Sequence, residues 1–344
     1  MLRRLLIMLL AASSAILPGC GTPALPEASA MSHAVIPAVF SPTRGAPGQE
    51  GSTARDLLYV SGGSGVDGRV FVYTYPRGTL VATLTGFTPP TGECVDRAGD
   101  VFVVTENTSE SAGVIYEYAH GGTEPIATLN DPNYAFGCSV DPTTGNLAVS
   151  GEGVAIYKNA TGSPTVYSSS EFGFLYCGYD DAGNLYLTAS KSNSGTERFL
   201  VRLAIGSGSF EAISFGKKLY ADTFFEPSTQ WDGTRMTVST IPEYLNGREQ
   251  GPEYVYRLNI SGSVAKIAGV TRLSSKKSAP AGQNWIQGER IAAAYYYRSF
   301  GHVGVWPYPR GGAPRRRISH ILARGEIWGV AVSPGTGSST ALAR

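Results

Sequence analysis

One strand-and-turn sequence recurs along this chain, and no other feature constrains the fold as tightly. Val70-Phe71-Val72-Tyr73-Thr74-Tyr75-Pro76-Arg77-Gly78 returns as Val114-Ile115-Tyr116-Glu117-Tyr118-Ala119-His120-Gly121 and as Val154-Ala155-Ile156-Tyr157-Lys158-Asn159. Looser copies are Leu200-Val201-Arg202-Leu203, Tyr254-Val255-Tyr256-Arg257-Leu258 and Val303-Gly304-Val305-Trp306-Pro307-Tyr308-Pro309-Arg310-Gly311. Each is a run of β-branched and aromatic residues closed by a turn.

The copies lie roughly 40–55 residues apart, the length of one four-stranded propeller blade. Upstream of each, the middle of the chain repeats an inner strand, an Asp-and-Gly turn and a second strand. Gly92 to Asp96, Gly137 to Asp141 and Tyr176 to Asp180 are the inner strands. Val101 to Thr105, Asn146 to Val149 and Asn184 to Leu187 follow them. Trp231-Asp232-Gly233 and Trp285-Ile286-Gln287-Gly288 mark two more inner strands. Asp bonds its own backbone in such turns, and Gly accepts positive φ. Leu57 to Val60 reads as a second strand with no inner strand before it. Ile327 to Val332 reads as an inner strand with no second strand after it. Together they complete one blade and remove the open edges. The expectation is an all-β, six-bladed β-propeller over residues 56–336, closed by pairing its N- and C-terminal strands in a shared blade.

With 43 glycines, 21 prolines and 16% charged residues, the composition fits a turn-rich β protein. A domain this long buries roughly three quarters of its unfolded surface. The formal net charge of +1 gives no pull toward nucleic acid. Arg3 and Arg4 precede an apolar run from Leu5 to Leu17, followed by Pro18-Gly19-Cys20. This resembles a bacterial lipoprotein signal over residues 1–20, which implies cleavage before Cys20 and lipidation of its thiol. Cleavage after Ala28-Ser29-Ala30 is the alternative. Either way the protein is expected to be exported, and the apolar run is short of the ~20 residues needed to span a bilayer. Residues 21–55, rich in Pro, Ala, Gly and Ser, read as a flexible tether with a reach of ~30 Å. Residues 337–344 read as a disordered tail, and the protein as a monomer whose membrane contact is its anchor.

The Asp-Gly turns at 92–105, 137–149 and 176–187 resemble those of NHL-type and related six-bladed propellers. Tyr75-Pro76-Arg77-Gly78 and Tyr308-Pro309-Arg310-Gly311 resemble blade ends of uncharacterised bacterial lipoproteins. The resemblance implies a fold and an exported setting, and no particular activity.

Three cysteines remain beyond Cys20. Cys94 stands two residues before Asp96, whereas Cys138 and Cys177 stand three before Asp141 and Asp180. A one-residue offset turns a strand side chain to the opposite face. Cys94 and Cys138 on consecutive blades can therefore face each other, and an oxidising compartment permits a disulfide. Three buried thiols are the competing reading. No Cys or His spacing suits zinc.

Loops entering inner strands and leaving second strands share one face of a propeller, and aromatic residues concentrate there. Tyr134, Phe172, Tyr220, Trp285, Tyr296 and Trp328 are candidate ligand contacts for a sugar ring, a peptide or a protein; wedging between blades is the competing role. The chain also resembles the gluconolactonase-like metal-dependent lactonases in blade count and turn style. That resemblance implies a Glu, an Asn and an Asp around one divalent ion at the channel mouth. Glu93 is the acidic residue at an inner-strand start, with Asp222 in a long entering loop. Phe136-Gly137 and Leu175-Tyr176 supply no further oxygen ligand. The expected function is non-enzymatic binding or scaffolding without a cofactor, with the hydrolase as alternative. Arg315-Arg316-Arg317 reads as a solvated turn guarding an edge.

Overall fold

The structure is a computed structural model. It describes residues 54–63, 67–107, 112–191, 198–215, 228–240, 244–245, 248–249, 252–274, 280–297, 300–319, 321 and 326–336. These residues form strands and turns, with one short 3-10 turn at Lys158–Ala160.

The first sheet contains β1 (Leu57–Gly63), β2 (Gly68–Thr74), β3 (Leu80–Phe87) and the last strand of the chain, β26 (Glu326–Ser333), in the order β26-β1-β2-β3. The second contains β4 (Pro90–Val95), β5 (Val101–Asn107), β6 (Ala112–Tyr118) and β7 (Ala127–Asp131). The third contains β8 (Ala135–Val140), β9 (Leu147–Gly151), β10 (Gly153–Tyr157) and β11 (Thr165–Ser168). Next come β12 (Phe172–Tyr179), β13 (Leu185–Lys191), β14 (Arg198–Leu203) and β15 (Phe210–Phe215). They are followed by β16 (Thr229–Trp231), β17 (Met236–Thr240), a two-residue ladder of β18 (Tyr244–Leu245) with β19 (Arg248–Glu249), β20 (Glu253–Ser261) and β21 (Val264–Leu273). The last sheet contains β22 (Pro280–Gln287), β23 (Arg290–Tyr297), β24 (Phe300–Pro307) and β25 (Arg316–Ile318).

The chain ends meet. Leu58 pairs with Val332 and Val60 with Val330 in an antiparallel ladder. β1 is buried along its whole length, because it lies between β26 and β2 and its alternate side chains enter the seams on both faces of the sheet. The sheet count differs from six separate blades. Among the described residues there are four four-stranded sheets and one eight-stranded sheet in the order β12-β13-β14-β15-β21-β20-β17-β16. The cause is local: the outer strands β15 and β21 touch in parallel through Ser214↔Val264 and Phe215↔Ala265. The Ser214 N–H and hydroxyl both donate to the Ser263 carbonyl, at 2.8 and 3.1 Å. Two edge strands thereby satisfy each other's unpaired backbone groups.

The inner-strand turns share one mechanism. The Asp96 carboxylate accepts the Asp100 N–H at 2.8 Å. Asp141 accepts Thr143 N–H at 2.8 Å, Asp180 accepts Asn184 N–H at 2.8 Å, and Asp232 accepts Thr234 N–H at 2.8 Å. Gly99 (φ 93°), Gly183 (φ 83°) and Gly233 (φ 94°) supply the left-handed residue.

The apolar cores lie in the seams between sheets. Leu57, Tyr59, Val101 and Val103 fill the seam between the first and second sheets. Phe102, Val104, Leu147 and Val149 fill the next, and Leu58, Val60, Val303 and Val305 join the last sheet to the first. Alternate residues of one strand, such as Leu57 and Leu58, therefore enter different seams, as the two-residue strand period requires. Cys94 and Cys138 lie in the second seam and are bonded, with Cα atoms 5.6 Å apart. Cys177 is buried and free in the following seam.

Candidate functional site

The inner strands share an irregularity near their starts. Pro90 pairs with Thr105 and Gly92 with Val104, which leaves Thr91 as an extra residue. Ala135 pairs with Gly151 and Gly137 with Ser150, leaving Phe136. The same slip isolates Leu175 and Tyr176 in β12, residues 281–283 in β22 and Trp328 in β26. A bulge bends its strand and re-aims the extra side chain. Repeated at one level around a ring, it directs several side chains to the middle.

Tyr176 occupies that middle. Its hydroxyl donates to the Trp328 carbonyl at 3.0 Å and lies 3.4 Å from the Thr91 carbonyl. The phenol thus links β12 to β26 and β4, strands from three different sheets. Phe136 packs edge-on against it, with ring centroids 5.1 Å apart. Glycines permit this closeness: a Cβ on Gly137 would lie 2.8 Å from Tyr176 Cδ1, and one on Gly282 2.6 Å from the Trp328 carbonyl oxygen. Phe136 and Trp328 keep part of their surface exposed.

Gln283 fastens a second bridge. Its side-chain amide donates to the Glu93 carbonyl at 2.6 Å, and its oxygen accepts the Glu93 N–H at 3.0 Å. β22 is thereby clasped to β4, past β26, which lies between them.

Glu93 does not face an open channel mouth. It is fully buried, because its position in β4 turns the side chain into the seam toward the first sheet, against Ser61 and Gly329. Burial pushes its carboxyl up to about 8, while neighbouring Ser61 pulls the other way. Neither carboxyl oxygen has a well-formed hydrogen bond among the described residues. Burial thus favours the neutral acid over the carboxylate at this position. Among the described residues no group of three or more His, Cys, Asp or Glu side chains is arranged to hold a metal ion. Asp222 lies outside the described residues.

The sequence-expected aromatic residues divide. Trp328 contributes its backbone carbonyl to the axial collar, and its side chain is partly exposed. Trp285, partly buried, packs against two seam cores, and its indole N–H lies 3.4 Å from Gln287 Oε1. Tyr134 sits half-buried, with its hydroxyl donated to the Glu106 carboxylate. Phe172 is corrected from ligand contact to packing residue: it is 5% exposed, in the seam core, edge-on to Phe199. Its neighbour Phe174 is buried in the same way against Phe210. Tyr220, the Tyr296 side chain and Cys20 lie outside the described residues. Sequence reasoning missed Tyr176, Gln283 and Gly329. A signal for the collar was present: Thr91, Phe136 and Leu175 each stand five residues before the turn aspartate.

No family model matches this chain, and no curated protein matches it in sequence. Solved structures match it in shape. A protein of unknown function from Bacteroides caccae is 13% identical, covers 81% of this chain and 99% of its own, and has a TM-score of 0.56. A Lactobacillus plantarum protein is 12% identical over 81% of this chain and 99% of its own, with a TM-score of 0.49. The β-propeller domain of Myceliophteria thermophila Cps50 is 11% identical over 75% of this chain and 82% of its own, with a TM-score of 0.47. At these identities the likeness bears on fold alone; the successive four-stranded antiparallel sheets, closed by the pairing of β1 with β26, are themselves the arrangement of a β-propeller.

Proposed function

We propose that this chain is an exported, NHL-like, six-bladed β-propeller, lipid-anchored at Cys20 and monomeric. In this reading it binds a glycan, peptide or protein segment over its axial collar and catalyses no reaction. The observation that carries the binding reading is the collar itself: partly exposed Phe136 and Trp328 braced by buried Tyr176 at the centre of the ring. Rigid aromatic faces beside backbone carbonyls suit a ligand with apolar faces and polar edges. The six-blade count treats the eight-stranded sheet as two four-stranded blades tied by the two-pair contact of β15 with β21. Apolar clusters in every seam, including one between β14 and β17 built on Leu200, Ile213, Met236 and Val238, favour that count. Export and anchoring rest on Arg3, Arg4, the apolar run and Cys20.

The test is a Phe136→Ala/Trp328→Ala double variant on glycan and peptide arrays, with circular dichroism and melting to check the fold. Loss of array binding with the fold retained is expected. Unchanged binding by a folded double variant overturns the collar as the site. Cys20→Ala should release the protein from membranes; continued membrane retention argues against the anchor.

A further inference from the structure

A second feature lies at the opposite end of the strands, between the last sheet and the first. A cleft of roughly 210 Å³ is lined by Arg77, Arg290, Arg315 and Arg316, with Glu289 the acidic residue on its wall. Pro76, Val305, Trp306 and Pro307 complete the lining.

The backbone holds these arginines from three directions. Arg77 sits in the turn after β2, where the Gly78 N–H donates to the Thr74 carbonyl at 2.7 Å. Gly78 lets that turn touch the last sheet: a Cβ there would lie 2.7 Å from Ile318 Cγ1. Arg290 opens β23 opposite Pro307. The Arg315 N–H donates to the Val305 carbonyl at 2.8 Å, and Arg316 pairs with Val305 across β24 and β25. Among the described residues none of the four guanidinium groups is in an ion pair, unlike Arg69 with Asp67 or Arg202 with Glu211. Four exposed arginines without an ion pair line this small cleft beside a single acid, and in a chain of net charge +1 that is a local concentration of positive charge that composition does not require.

We propose that this cleft binds a tetrahedral oxyanion, a phosphoryl or sulfuryl group carried on a larger molecule. Guanidinium groups grip such oxygens with paired N–H donors in a fixed fork. The position of the cleft on the seam makes the ligand a clamp between the last sheet and the first, the sheet in which the terminal strands pair.

The probes are sodium pyrophosphate, by calorimetric titration at matched ionic strength, and phosphatidylglycerol–phosphatidylcholine vesicles, by co-sedimentation, with Cys20→Ala in every protein so that the proposed anchor does not itself bind the vesicles. The Arg290→Gln/Arg316→Gln variant is compared with wild type and with Arg69→Gln. All three positions are at the surface, and melting confirms the fold. Saturable pyrophosphate binding weakened about tenfold or more in the double variant, and unchanged in Arg69→Gln, supports the proposal. Vesicle binding alone with the same variant pattern also supports it and names a lipid headgroup as the source. No binding in either arm, or equal binding by the double variant, overturns it.

Discussion

Gly329 makes the space in which the Glu93 carboxyl sits. A Cβ at residue 329 would overlap Glu93 Oε2 and lie 2.5 Å from Ser61 Oγ. A residue of β26 near the end of the chain thus decides whether an acid on β4 can be buried between the first and second sheets.

Gly329→Ala should therefore destabilise the protein by about 1–3 kcal/mol through overpacking. The cost should be less than additive with Glu93→Ala, since both changes act on one space. Chemical denaturation of the two single variants and the double variant measures this.

The buried acid also sets a pH dependence. Its folded value is raised from 4.5 to about 8, so the native state keeps a proton that the unfolded chain releases. The stabilisation is full below about pH 4.5 and is lost as pH rises toward about 8. The slope is on the order of 1.4 kcal/mol per pH unit. Glu93→Gln should flatten stability against pH in that window. An unchanged slope would show that Glu93 titrates normally.

The Cys94–Cys138 bond closes a separation of 44 residues. The chain-entropy relation gives it about 4 kcal/mol. Cys94→Ser/Cys138→Ser should lower the denaturation midpoint accordingly. Cys177, its thiol pushed up to about 12 by burial, should resist alkylation in the native state and react after unfolding. Mass spectrometry of labelled peptides distinguishes the three cysteines.

Tyr176→Phe removes the hydroxyl that reaches the Trp328 carbonyl at 3.0 Å and should cost about 1–2 kcal/mol. Tyr176→Ala empties the middle of the collar and should cost about 3–5 kcal/mol. If both variants melt like wild type, the phenol does not brace the ring.

Tyr308 donates to Asp232 Oδ2 at 2.6 Å, joining the last sheet to the β16–β17 turn. Burial raises the Asp232 value, but hydrogen bonds from Tyr308, Thr234 and the Arg235 N–H outweigh it and leave it lowered. This contribution is present above the unfolded value of 3.8 and is lost as pH falls through the folded one. Tyr308→Phe should cost about 1.5–3 kcal/mol at neutral pH and less in acid. Stability curves at both pH values check it.

Strand repeats, Asp-Gly turns and the meeting of the chain ends were readable from residues alone, because each depends on neighbours a few positions apart or on one unpaired strand at each end. The opposite facing of Cys94 and Cys138 was readable for the same reason: strand parity is a local count. Phe172 was not, since an aromatic residue at a strand start packs or projects according to what the adjacent sheet presents, here Phe199. The union of β15 with β21 depends on two edges coming within hydrogen-bond reach, which no periodicity encodes. The Tyr176 bridge and the seclusion of Glu93 join residues 152 and 236 positions apart in sequence. Local chemistry determined that this chain makes twisted strands and tight turns; only the closing of the ring decided which side chains share the axis, because burial there is set by the approach of distant strands.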